Sequence, residues 1–464
     1  MLGDEKRQIS GEAFHYFNVE ELIPANHILR RIDAVLDLSW VRDELRDCYA
    51  DRGRKSWDPE VIVRMILLGY LYGFSEVRLV DELRMHMGYR WFCLLQPSDK
   101  IPDRTILVKL RNERWRQDLW VKILEKTVQQ CVEAGLVSGR HVSVDGTRIR
   151  ADASIASLEP IEPPASLQDH LLERCGWEKY VPENEAPEPP DDDEPRPRSE
   201  PDFRGKELKN HTVRSSSDPD ARLYRKQDGE GCRLSYLGHF CIDTKSRVIL
   251  SAGATKAHTS AEWEAGERLI DEANARVGGR IRFVTADKGY GVRRFLDQVV
   301  ARGITPHIPV QGRADERPVP GQRVLGARLV EIDRARRMVR ARREERARNA
   351  ALRATRTPGY RISRLLRLRV EHSIGEAKVC HGMGRARHRG EAKVNAQVMV
   401  TAAVMNLKRL AKTLGRQHGV ATAMQPFGFA RKGALRRHIR NLKRLLNGLV
   451  SAQCHRLIPL SKEV

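Results

Sequence analysis

A mixed α/β domain behind an all-helical N-terminal region is the fold class this sequence predicts, and three observations predict it. Apolar residues at helical spacing, with cap signals, fill residues 1–135. From His141 onward, β-branched runs of strand length alternate with helical stretches. A chain of 464 residues, 41% hydrophobic, also has room for two or three domains with sizeable cores.

In the helical region, Asp58 is an N-cap with Pro59 at the first helical position, and Val61, Ile62, Met65, Ile66 and Leu67 form an apolar face that Gly73 ends. Ser75 caps a second helix through about Met87. A third starts near Asp103-Arg104-Thr105 and reaches Gly135 through Leu107, Leu110, Leu119, Ile123 and Val132, with one break expected. Arg104, Lys109, Arg111 and Arg114 are expected on exposed faces. Such short helices suit either a helix-turn-helix reader of DNA or a plain packing unit.

The expected strands are His141–Val144, Ser235–Ile242, Arg247–Ala252, Ile281–Thr285 and Ile304–Val310, with helices over Ser260–Val277 and Arg293–Arg302. This domain is expected over 136–414. Between its first two strands, about 155–215, seven prolines from Pro182 to Pro201 interleave with Asp191-Asp192-Asp193-Glu194, a composition that predicts a loose loop or insertion. Residues 415–464 are expected to form a basic helical tail, with Arg436 to Leu446 as an amphipathic basic helix.

Charge speaks to partners. A formal charge of +22 and a pI near 9.9 favour a polyanion, nucleic acid first. The Arg-rich stretch Arg334–Arg356 reads as a helix facing either solvent or a DNA backbone. No apolar run approaches the roughly 20 residues of a membrane span, and the N-terminus is too polar for a signal peptide, so a cytoplasmic, nucleoid-associated protein without membrane contact is expected. The eight cysteines are scattered without finger spacing, which predicts reduced thiols and no structural zinc.

Three acidic motifs carry candidate chemistry: Val144-Asp145-Gly146, Ala286-Asp287-Lys288 and Val370-Glu371-His372. Each Asp follows a β-branched run, and carboxylates at the ends of neighbouring strands and on a packing helix can converge on two divalent cations, as in-line attack on a phosphodiester requires. On a helix from about Ile362, Arg367 and Lys378 fall about 40° and 20° from Glu371, whereas Glu376 falls about 140° away. Arg367 and Lys378 would then hold phosphate beside the metal. Taken singly, Asp145-Gly146 is equally a turn, and Arg367 with Glu371 an ordinary i,i+4 ion pair.

Several ordered blocks resemble the signatures of bacterial insertion-sequence transposases of the DDE class. They are Asp145-Gly146-Thr147-Arg148-Ile149-Arg150-Ala151, Asp218-Pro219-Asp220-Ala221-Arg222, Thr285-Ala286-Asp287-Lys288-Gly289-Tyr290, Val370-Glu371-His372-Ser373-Ile374-Gly375-Glu376-Ala377-Lys378, and Arg389-Gly390 followed by Ala402 to Leu410. The region around Pro102-Asp103-Arg104-Thr105 is similar to the DNA-binding domain that precedes catalysis there, and the match runs from about Val19 to Leu414. The resemblance implies an RNase H-like mixed sheet flanked by helices, with the first Asp on the first strand, the second after the fourth strand and the Glu on a later helix. It implies that Asp145, Asp287 and Glu371 bind two Mg²⁺ ions, for which Mn²⁺ can substitute, and that Arg367 and Lys378 contact DNA phosphate. Arg364 stands where relatives often show Tyr, and is a further DNA contact candidate with Arg104 and Lys109. The implied partners are double-stranded DNA, both terminal inverted repeats and target, and a second copy or higher multimer on DNA. A regulator that has lost the chemistry, or a nuclease of the same fold that does not join, are the alternatives.

Overall fold

The computed structural model describes residues 18–50, 52, 56–161, 210, 212–225, 231–310 and 328–417. The acidic Pro-rich stretch from Pro182 to Pro201 and the basic helix expected at Arg436–Leu446 lie outside the described residues.

Helices α1 (Val19–Leu22), α2 (Ile28–Val35), α3 (Val41–Glu44), α4 (Pro59–Leu71), α5 (Glu76–Met85), α6 (Met87–Phe92), α7 (Arg104–Lys109) and α8 (Asp118–Glu133) build the N-terminal region. Asp58 caps α4 as the sequence predicts, accepting from the Glu60 amide at 2.9 Å. Every residue of α4 except Glu60 is buried, as suits a helix apolar on nearly all sides. Its one interior cation, Arg64, is paired with Asp33 at 2.8 Å and donates to the Phe92 carbonyl at 2.9 Å, so the buried charge is satisfied.

The expected second helix is split at His86, whose extended backbone ends α5 and whose ring accepts from the Tyr89 amide to start α6. The third breaks once, as expected, at Trp115. Just before the break, residues Leu110–Arg114 wind as a π turn, and Arg111 turns inward to pair with Glu76. Arg111 is therefore an internal tie and not the exposed cation that helical spacing predicts, while Arg104, Lys109 and Arg114 are exposed.

Strands β1 (His141–Arg150), β2 (Leu158–Pro160), β3 (Val213–Ser215), β4 (Arg222–Tyr224), β5 (Arg233–Asp243), β6 (Ile249–Lys256), β7 (Phe283–Thr285) and β8 (Thr305–His307) follow. The main sheet runs β4-β5-β1-β7-β8, with β6 also on β5. Its β6-β5-β1 half is antiparallel and its β1-β7-β8 half parallel. β2 and β3 pair separately with each other, Leu158 opposite Ser215 and Pro160 opposite Val213. Helices α9 (Ala261–Arg276), α10 (Arg293–Ala301), α11 (Arg328–Ala354), α12 (Pro358–Cys380) and α13 (Glu391–Gln417) complete the chain's described part.

α9 packs on β6, β5 and β1, and α12 on β1, β5, β7 and β8. α13 joins the two regions: it packs on β6 and β5 and also on α2, α4 and α8, within one continuous apolar core. Two asparagines fix it to the β6 edge. Asn406 donates to and accepts from the backbone of Ile249, both at 2.8 Å, and Asn395 accepts from the Ala254 amide at 2.8 Å. These bonds satisfy part of the ladder that an edge strand leaves unpaired. Among the described residues no helix is long and apolar enough to cross a membrane.

Candidate active site

The parallel register brings two of the three acidic motifs together. Ser143 on β1 is the partner of Thr285 on β7, and Asp145 and Asp287 each lie two residues beyond that pair. Neighbouring strands run about 4.8 Å apart, so the end of this pairing brings the two motifs side by side, and the charge of Asp287 acts on Asp145. Asp145-Gly146 is not a turn, and Asp145 does not end its strand: β1 continues to Arg150, with Asp145 opposite Phe240 and Gly146 opposite His239. What ends at Ser143 is only the pairing with β7. Asp287 caps the short 3-10 turn Lys288–Tyr290, accepting from the Gly289 amide at 2.8 Å.

Burial and the neighbouring Asp287 push the Asp145 carboxyl up to about 7. Glu262 acts in the same direction, whereas the Gly146 amide at 2.9 Å and the Arg367 guanidinium oppose it. Folded Asp145 thus keeps its proton to about pH 7, while the unfolded chain releases it near 3.8. Between those values the folded state binds more protons, so the group's contribution to stability is full below about 3.8 and falls as pH rises to 7. Thermal unfolding without divalent cation should accordingly show a shallower loss of stability between pH 5 and 8 for Asp145→Asn than for wild type. Parallel curves would mean that Asp145 titrates normally.

The third motif arrives on α12, whose position is set by a neutral hydrogen-bond cluster. Ser363, buried on α12, stands 2.7 Å from His141 Nε2 at the start of β1 and 2.5 Å from His307 Nδ1 at the end of β8, and donates to the Gly359 carbonyl at 3.0 Å. Burial lowers both imidazoles, His141 to about 4, so neither brings a charge into the cluster at neutral pH. Glu371 lies two turns further along α12, exposed and paired with Arg367 at 2.6 Å. Arg367, whose charge acts on Asp145, is thus bound to Glu371 and links the helix motif electrostatically to the strand motifs.

Glu376 points elsewhere, as its angle predicts. It accepts from Lys408 at 2.9 Å and from Arg409 at 3.1 Å, both on α13, and lies 3.5 Å from Arg247. His381, with Arg409 and Lys408, holds its carboxyl well below the usual carboxylate range. His381 in turn bonds the Tyr70 carbonyl on α4 at 2.9 Å, so this ionic knot ties the two regions of the chain together. Asp218 and Asp220 are structural too. Asp218 accepts from the Tyr236 hydroxyl at 2.6 Å and the Gly390 amide at 3.1 Å; Asp220 accepts from the Glu391 amide at 3.1 Å, satisfying the start of α13.

Of the cations singled out from sequence, Arg364 is exposed on α12 and Lys378 half-buried nearer its end, while Arg104 and Lys109 lie apart on the N-terminal helix α7. Among the described residues no three His, Cys, Asp or Glu side chains are drawn together tightly enough to hold a metal as they stand, and Glu371 is paired with Arg367. The donor set nonetheless suits a hard divalent cation: Asp145 and Asp287 repel each other, and Glu371 is held by one exposed pair of a kind worth about 1 kcal/mol or less.

Two family models match the chain, a Transposase domain (DUF772) over residues 17–113 and a Transposase DDE domain over residues 209–407. No solved structure matches it. The helical region and the strands from β3 onward with their later helices thus each have a counterpart in one protein class; Asp287 and Glu371 fall inside the second match, while β1 with Asp145 lies between the two. The chain belongs to the insertion-sequence transposases of the DDE class, polynucleotidyl transferases and endonucleases with an RNase H-like catalytic fold, which bind DNA and depend on a divalent metal.

Proposed function

We propose that this transposase binds the terminal inverted repeats of its element, hydrolyses strands at the element's ends and joins the freed 3′-hydroxyls to target DNA, with Asp145, Asp287 and Glu371 as its metal-binding carboxylates. The observation that carries the assignment is the register: two acidic residues from distant motifs each follow by two residues the last pair of adjacent parallel strands, and the helix that bears the third packs on both strands. Two Mg²⁺ ions, or Mn²⁺ in their place, would when bound there activate the attacking water or 3′-hydroxyl and stabilise the leaving oxygen.

The chain's own groups prepare that site. Asp145 must give up its proton, which ties cation uptake to pH, and Glu371 must exchange Arg367 for the cation. Once released, Arg367 is a planar guanidinium beside the scissile phosphate, where it would make paired hydrogen bonds to phosphate oxygens. Exposed Arg364 and half-buried Lys378 extend the basic surface along α12. Residues 1–135 serve as the DNA-binding domain, 136–414 as the catalytic domain and 415–464 as a basic tail. Synapsis of two ends calls for a dimer or higher multimer on DNA.

The direct test is labelled DNA carrying the flanking repeat ends, incubated with Mg²⁺. Nicked ends followed by joined products support the reading; tight sequence-specific binding without cleavage would make the protein a regulator, and cleavage without joining a nuclease. Arg104 and Lys109, exposed on α7, are assigned to backbone contacts. Replacing both with Ala should lower the slope of log affinity against log salt by about 2, roughly one per phosphate contact, with little change in sequence preference. An unchanged slope would remove α7 from the DNA interface.

A further inference from the structure

A carboxylate outside all the acidic motifs reaches the same place. Glu262 lies in the first turn of α9, the helix that follows β6. Its side chain occupies the room left by two glycines. A Cβ on Gly146 would meet Glu262 Oε1 at 3.2 Å and its Cδ and Cγ at 3.3 Å. A Cβ on Gly289 would meet Asp287 Oδ1 at 3.1 Å and Glu262 Oε2 at 3.7 Å. Glu262 and Asp287 therefore border one small space, opened by the missing side chain of Gly289, while the stem of Glu262 runs beside the residue that follows Asp145.

A second observation points to something held in that space. Tyr290 is fully buried, its ring pressed so close to α9 that a Cβ on Gly266 would come within 2.9 Å of it. Its hydroxyl has no hydrogen-bond partner among the described residues, and burial with the nearby charges of Glu262, Asp145 and Asp287 holds it well above the usual tyrosine range. A buried hydroxyl without a partner is unfavourable, and a bound water or hydrated cation at the carboxylates would relieve it.

We infer that Glu262 is a fourth carboxylate of the metal site, binding a divalent cation from the Asp287 side. This rests on the assignment of Asp145 and Asp287 as metal ligands. Four hard oxygen donors from β1, the turn after β7, α9 and α12 would then surround the ions, with the Tyr290 hydroxyl beneath them.

The test is Mn²⁺ binding by the full-length protein without DNA, read from the electron paramagnetic resonance signal of free Mn²⁺. Circular dichroism verifies that each variant is folded. Wild type, Asp145→Asn, Asp287→Asn, Glu262→Gln and Glu262→Asp are compared. The expected result is at least about 10-fold weaker Mn²⁺ binding in Glu262→Gln, with partial recovery in Glu262→Asp, which keeps the charge. Wild-type affinity in Glu262→Gln, alongside weakened binding in Asp145→Asn and Asp287→Asn, would overturn the inference alone. Wild-type affinity in the two Asp variants would overturn the metal-ligand assignment beneath it. Should Glu262→Gln fail to fold, Glu262→Asp decides: affinity equal to wild type despite the shortened side chain would contradict direct ligation.

Discussion

Asp145→Asn, Asp287→Asn and Glu371→Gln should each slow DNA end cleavage and strand transfer by at least about 10³-fold, equivalent to about 4 kcal/mol of transition-state stabilisation. Each replacement keeps the side chain's size and removes one negative oxygen, so folding and DNA binding should persist. The three losses should not multiply. Groups that hold the same ions act as a unit, so a double variant should be about as inactive as either single one. Gel assays on labelled element ends, with binding measured in parallel, resolve the two steps. Retention of more than about a tenth of wild-type cleavage in any one variant would remove that carboxylate from the site.

Glu376→Ala should destabilise the fold by about 3 kcal/mol, although Glu376 lies only five residues beyond Glu371 on the same helix. Its removal leaves Lys408, Arg409 and Arg247 facing one another with their common counter-charge gone. Arg409 is buried enough that its own guanidinium is lowered to about 10, and losing its carboxylate partner would add to that burial cost. Glu371→Ala removes one exposed pair and should change stability by less than about 1 kcal/mol. Chemical denaturation of the two variants side by side separates the roles. Because the Glu376 carboxyl lies far below its ordinary 4.5, its contribution is full above about that pH and fades as acid approaches the folded value. Equal stability of the two variants would mean that the knot contributes nothing to holding α12 on α13.

Much of this arrangement was legible in the sequence because it depends on local periodicity. The caps at Asp58 and Ser75, the strand runs before Asp145 and Asp287, and the separation of Glu371 from Glu376 by helical angle all follow from residue spacing within one element. What was not legible depends on partners distant in the chain. Arg111 looked exposed because a regular helix was assumed, and the π turn at Leu110–Arg114 inserts an extra residue per turn and rotates it inward onto Glu76. Asp218 and Asp220 sit in a signature-like block, yet their work is to receive Tyr236 and the first amides of α13, some 170 residues away. Glu262 gave no signal: an acidic residue in the first turn of a helix is ordinary, since it complements the helix dipole. Only the two glycines facing it, Gly146 and Gly289, mark where its side chain goes, and only the fold brings them together.

The claim that three remote segments share one metal site is tested most directly by iron-directed cleavage of the polypeptide. Fe²⁺ takes the place of Mg²⁺ on the DNA-bound protein, and ascorbate with peroxide generates hydroxyl radicals that cut the chain next to the bound ion. The account predicts cuts clustered near residues 145, 287 and 371, all suppressed by excess Mg²⁺ and absent in Asp145→Asn. Cuts confined to other segments, or an unchanged pattern in Asp145→Asn, would contradict it.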